Sequence, residues 1–164
     1  MISERLRYWP VRPSDLDDFH RLVQDDHVRR YLLDGQIVPR KWSKERIQSS
    51  QALFERRGVG IWLTKEKTRD ELVGFCGFLE FPTMHPDPQL VYAMFERFSG
   101  KGYATEMAHA AIAEARKHAG FRVIVTSVDE VNSGSLRVLD KLCFTKFSTQ
   151  KGHFGNMFLM RLES

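Results

Sequence analysis

A chain of 164 residues, 42% hydrophobic and 28% charged, has the size and balance of one domain (residues 1–164) with a buried core, and no segment approaches the ~18 consecutive apolar residues of a spanning helix. The formal charge of +4 suits an anionic ligand, but Lys and Arg are scattered among Asp and Glu, which argues against a nucleic-acid interface. Cys76 and Cys143 have no metal-ligand spacing, and Met1 to Arg5 lacks the apolar core of a signal peptide, so a metal-free protein of the reducing cytoplasm is expected.

Leu6 to Val11 reads as a first strand that Pro10 either confines to a sheet edge or ends early, because proline has no N–H for a ladder. Ser14 and Asp17 are spaced as a helix start, and Leu16, Phe19, Leu22 and Val23 make one apolar face. A short helix follows from Asp25 or Asp26, carrying Val28, Tyr31 and Leu32 and stopped by Asp34-Gly35. A third helix is expected over Ser43 to Arg57, with Ile47, Phe54 and the stem of Gln51 on one face and Gly58 closing it. Gly60 to Lys65 and Leu72 to Phe81 read as a hairpin around the polar turn Glu66 to Asp70. Gly74 and Gly77 weaken the second of these strands unless other backbone or a ligand comes close there. Pro82 to Pro88, with three prolines, is a loop.

Leu90 to Phe95 is the next strand, and it runs into Arg97-Phe98-Ser99-Gly100-Lys101-Gly102-Tyr103-Ala104-Thr105-Glu106. Gly100 and Gly102 permit a tight turn, and the helix that follows presents unpaired N–H groups and a positive dipole end, a combination suited to phosphate. The spacing does not fit a P-loop, since no earlier glycine stands at the required distance, nor a Rossmann turn, which needs a third glycine where Thr105 stands. The helix places Ala104, Ala108, Ala111, Ile112 and Ala115 on a narrow face and ends at Gly120. Val123 to Val128 is then a strand parallel to its predecessor, because a helical crossover separates them. Asn132 and Ser135 open a short helix ending at Cys143-Phe144, and two strands, Phe144 to Ser148 and Met157 to Leu162, close the chain around Lys151 to Gly155.

The Arg97-x-x-Gly100-x-Gly102 spacing, continued by Tyr103-Ala104-Thr105-Glu106, resembles the pyrophosphate motif of the GNAT acetyltransferases, above all the branch of the ribosomal-protein N-terminal alanine and serine acetyltransferases. Asn132-x-x-Ser135, about thirty residues on, resembles that family's second motif. The resemblance covers Leu6 to Leu162 and implies a single-domain α/β (α+β) GNAT fold. Its sheet is central and mixed, mostly antiparallel, with about seven strands, two of them parallel and splayed, flanked by helices.

The resemblance further implies acetyl transfer from acetyl-coenzyme A to a primary amine by direct attack. Carried over by position, the amides from Phe98 to Ala104 (Phe98, Ser99, Gly100, Lys101, Gly102, Tyr103, Ala104), preceded by Arg97, hold the pyrophosphate. The amides around Met94 and Phe95 hold the pantetheine, and Asn132 contacts coenzyme or intermediate. The helical region before Gly58 lies over the acceptor. Many family members carry a tyrosine four residues after the serine as general acid, where this chain has Leu139. Ser135 is the nearest hydroxyl and takes that role unless it only caps its helix. Glu80, His85 and Glu96 are the possible bases, each also readable as a surface residue. Cys143 stands where the family has glycine and is read as a buried, inert thiol, with a reactive thiol near the coenzyme as the alternative. Monomer and homodimer are both open, as are two acceptors, a protein N-terminus and a small amine. The competing reading is a coenzyme-A-binding sensor or interaction domain without catalysis; a nucleic-acid-binding domain lacks the basic and aromatic surface it would need.

Overall fold

The computed structural model describes residues 1–163. Seven strands form one sheet in the order β1-β2-β3-β4-β5-β7-β6. In chain order they are β1 (Leu6–Pro10), β2 (Ile61–Glu66), β3 (Leu72–Leu79), β4 (Gln89–Met94), β5 (Val123–Asp129), β6 (Thr145–Gly152) and β7 (Gly155–Glu163). Every neighbouring pair is antiparallel except β4 and β5. The helices are α1 (Leu16–Gln24), α2 (Asp26–Leu32), α3 (Arg40–Arg57), α4 (Tyr103–Ala119) and α5 (Ser133–Lys141).

β3 is buried along its whole length, which is why it reads as a continuous apolar run rather than an alternating one. Its two glycines have different neighbours. A Cβ on Gly74 would come within 2.1 Å of the Ala93 carbonyl of β4, and one on Gly77 (φ 142°) within 1.9 Å of the Gly60 carbonyl. Both are therefore sites of close backbone approach. α1 lies on one face of the sheet, where Phe19 meets Phe75 edge to face at 5.4 Å. α4 lies on the other, where Thr64 Oγ1 donates to Met107 Sδ at 3.3 Å, and its buried Ala108, Ala111 and Ala115 let it sit low on the strands. α5 packs beside α4.

Local geometry departs from the sequence reading in four places. Ser14 does not cap: Asp15 Oδ2 accepts from the Arg12 N–H (2.8 Å) and α1 starts at Leu16. α3 begins at Arg40, directly after Pro39, and its buried face is Ser43, Ile47, Ser50 and Leu53; Phe54 is only partly buried, edge-on to Trp62, and Gln51 is not in the core. The polar Ser43 and Ser50 can be buried because His20 Nδ1 (2.8 Å) and the Ile61 N–H (2.7 Å) satisfy them, a pairing invisible to hydropathy. β6 and β7 run longer than their apolar residues, to Gly152 and from Gly155, because the polar Gln150, Lys151 and Asn156 still pair in the ladder. Cys143 is exposed rather than buried. It occupies the left-handed region (φ 63°) that closes α5, with Phe144 N–H donating to Leu139 O at 2.9 Å.

Candidate active site

β4 and β5 touch in register only at Gln89 and Val125, and one residue further on Thr126 Oγ1 donates to the Leu90 carbonyl at 2.8 Å. Past that point the two strands part. The gap opens toward their C-terminal ends, where β4 leads into the glycine turn and β5 into α5.

Main-chain hydrogen bonds around the turn decide which donors are free. Phe95 N–H donates to Val73 O (3.1 Å), Phe98 N–H to Phe95 O (3.0 Å) and Ser99 N–H to Glu96 O (2.9 Å). These three amides, expected among the ligand-binding set, are already used by the protein, because Glu96–Phe98 folds as a 3-10 turn and Phe95 still pairs with β3. The N–H groups of residues 100–105 have no acceptor among the described residues, and Glu106 N–H makes the first helical bond, to Gly102 O. Gly100 (φ 74°) and Gly102 (φ 81°) supply the left-handed conformations that turn these donors outward, and a Cβ on Gly100 would meet nothing within 4 Å. Alternation along β4 points the Met94 N–H away from β3, into the gap.

Side chains brace this loop. Arg97 pairs with Glu71 (2.9 Å) and lies over the Phe95 and Phe98 rings at 4.5 and 4.9 Å. Arg5 reaches across from β1's approach, donating to the Lys101 carbonyl (2.8 Å) and pairing with Glu106 (2.7 Å), while its guanidinium covers the Tyr103 ring at 4.3 Å. Tyr103 OH donates to Glu66. Glu106 also accepts from Ser3 Oγ (2.5 Å) and the Arg5 N–H (2.7 Å). Burial pushes that carboxyl up, but the Ser3 and Arg5 hydrogen bonds and the Arg5 charge outweigh it and hold it below the ordinary carboxylate range. Its role thus exceeds complementing the helix dipole: it ties the N-terminal segment to the turn.

On the β5 side Asn132 Oδ1 accepts from the Ser135 N–H (3.0 Å), so Asn132 is the cap of α5 and Ser135 keeps its hydroxyl for other work. That hydroxyl lies 2.6 Å from Tyr92 Oη. Tyr92, on β4, was not singled out by the sequence, since a tyrosine in an apolar strand looks like core. Burial pushes its phenol up to about 12, against a smaller lowering by the Ser135 hydrogen bond. Leu139 is fully buried in the core.

The candidate bases scatter. Glu80 follows β3 at the closed end of the gap, six residues along the strand from Gly74, which faces Met94; at strand rise that is roughly 20 Å from the open end. It also forms a surface ion pair with Arg56 (2.9 Å). His85, in the same connection, accepts from the Asp87 N–H and stacks near Phe147, again at the closed end. Glu96 is exposed in the turn at the open end. The sequence missed Asp129, the last residue of β5, where burial raises the carboxyl's pKa, nearby Asp34 adds to that, and His153 opposes it. No group of three or more His, Cys, Asp or Glu side chains is placed to hold a metal among the described residues, and no helix there is long and apolar enough to cross a membrane.

Comparison with known proteins bears on the same fold. The chain is 21% identical to the uncharacterized N-acetyltransferase p20 of Bacillus licheniformis, over 99% of this chain and 94% of that one. Its structure superimposes on an acetyltransferase from Agrobacterium tumefaciens with a TM-score of 0.83, at 19% identity, covering 100% of this chain and 94% of the other. It superimposes on RimL, the ribosomal L7/L12 α-N-protein acetyltransferase in complex with coenzyme A, with a TM-score of 0.82, at 17% identity, covering 99% and 96%. At those identities the structural likeness establishes the fold. Residues 5–145 match the acetyltransferase (GNAT) domain model, and on that match the chain belongs to the GNAT family and is an acetyltransferase.

Proposed function

We propose that this protein is a single-domain cytoplasmic N-acetyltransferase that moves an acetyl group from acetyl-coenzyme A to a primary amine by direct attack, with the α-amino group of a protein N-terminus as the favoured acceptor. The observation that carries the reading is the row of acceptor-less N–H groups at 100–105 beside the open β4–β5 gap. Such donors at a helix N-terminus fit the diphosphate of the coenzyme. Kinship with RimL, whose name specifies a protein α-amino acceptor, supports the choice of acceptor.

Each residue then has a task. The amides of Gly100, Lys101, Gly102, Tyr103, Ala104 and Thr105 bind the diphosphate. Met94 N–H reaches the thioester carbonyl, where one well-aimed donor contributes about 3 kcal/mol as charge develops on the oxygen. An alkyl amine with pKa ~10.4, or an α-amine near ~8, must lose a proton to attack. Asp129 is the carboxylate at the open end suited to receive it. Ser135 Oγ–H, at the start of α5, donates to the departing sulfur in place of the tyrosine that Leu139 replaces.

Release of free thiol from acetyl-coenzyme A, measured with pools of N-terminal peptides, aminoglycosides, polyamines and amino acids, tests the reading. Turnover with the peptide pool is the expected result. Intact coenzyme binding with silence in every pool would instead favour a non-catalytic coenzyme-A-binding domain, the reading that the buried Leu139 favours.

A further inference from the structure

The Tyr92–Ser135 contact joins the two arms of the gap. Tyr92 belongs to β4 and Ser135 to the helix that follows β5, so their 2.6 Å hydrogen bond spans strands that no longer pair with each other. The register Cys76↔Tyr92 and Gly74↔Met94 puts Tyr92 on the same sheet face as Thr64, the face covered by α4, with α5 beside it.

We propose that Tyr92 is the positioning residue for the leaving-group acid: its phenol donates to Ser135 Oγ and thereby turns the serine's own hydrogen toward the sulfur. A phenol is a far stronger acid than an alkyl alcohol, so in this pair the phenol donates and the serine oxygen accepts. With that lone pair occupied, and the serine N–H tied to Asn132, the serine hydrogen is left free to point into the gap. Donation into Ser135 Oγ also polarises the Ser135 O–H and makes it a better donor, the cooperativity of a hydrogen-bonded chain. Proton balance is simple: the sulfur takes the serine proton as the C–S bond breaks, the serine oxygen is resupplied through the Tyr92 hydrogen bond, and the proton lost by the amine to base and solvent restores the phenol. This arrangement rests on the acetyltransferase reading above and explains how the chain dispenses with a hydroxyl at position 139.

The test is a double-mutant cycle on the full-length protein, read by thiol release, with acetyl-coenzyme A affinity by calorimetry and thermal unfolding as parallel readouts. Tyr92→Phe removes one oxygen from an unchanged ring. Its kcat is expected to fall about tenfold, the size of one lost hydrogen bond, with KM for acetyl-coenzyme A and the unfolding temperature nearly unchanged. Ser135→Ala is expected to lose about a hundredfold, and adding Tyr92→Phe to it should cost nothing more, because the tyrosine acts through the serine. Ser135→Thr, which keeps an oxygen for Tyr92, should retain most of kcat. A Tyr92→Phe variant at half or more of wild-type kcat, one that loses only coenzyme affinity, or full additivity with Ser135→Ala would each overturn the positioning role while leaving the acetyltransferase intact. Wild-type silence with every amine pool would overturn both together.

Discussion

Replacing Gly102 by valine tests the anion cradle most directly. Gly102 sits at φ 81°, at the N-terminal boundary of α4, and a Cβ there would stand 3.3 Å from Arg5 Nη2. An L residue held in this left-handed conformation costs about 1–2 kcal/mol, and a β-branched one is worse. The added methyls also press on the guanidinium that holds the Lys101 carbonyl and Glu106. The backbone relieves both by rotating, and the N–H groups of Gly102 and Tyr103 turn with it. Each charge-assisted hydrogen bond to a phosphate oxygen is worth about 1.5–3 kcal/mol, so losing one or two weakens binding by at least roughly tenfold. Calorimetry with coenzyme A measures this, and pantetheine, which lacks the diphosphate, is the control whose affinity should not change. Unchanged coenzyme A affinity, or an equal loss for pantetheine, would refute the placement of the diphosphate on this turn.

Other expectations follow from single features. Cys143→Gly should stabilise the protein by about 1 kcal/mol, since glycine adopts φ 63° without strain, which for a chain of this length is roughly 3 °C in thermal unfolding; no change would mean that the cysteine's own contacts compensate. Glu106→Gln should destabilise by about 1–2 kcal/mol at pH 7, a modest figure because Arg5 is 41% exposed. Because the folded-state pKa of Glu106 is depressed, its contribution is present above the unfolded value of ~4.3 and disappears as pH falls through the folded value, so the two proteins should converge in acid denaturation. A constant difference down to low pH would contradict the ion-pair account. Asp129 has a raised pKa, so as a base it stops working at a higher pH than an ordinary aspartate: the acid limb of kcat should lie above ~3.9 and disappear in Asp129→Asn together with most of the rate. An unchanged profile in that variant would remove Asp129 from the chemistry, and with it the influence of Asp34 and His153 on the rate.

Local chemistry made much of this protein legible from its residues. The glycine pair, the alanine face of α4, a start of α2 at Asp25 or Asp26, the Asn132 cap and the Gly58 and Gly120 stops depend on contacts within a few positions along the chain, where periodicity and φ preference act. The glycine turn at the start of α4 was therefore readable, and so was the parallel sense of β4 and β5, since a helical crossover permits no other economical path. Which of its amides are free was not: Phe95 and Ser99 lose theirs to β3 and to a 3-10 turn, outcomes set by where β4 stops pairing. Strand order lies further still from the sequence. Only the arrangement β3-β4-β5-β7-β6 brings Tyr92 to Ser135 across 43 residues, sends Glu80 to the closed end of the gap and leaves Asp129 at the open one. Long-range pairing is chosen by the collective burial of the sheet's two faces, and no single window of residues carries that information.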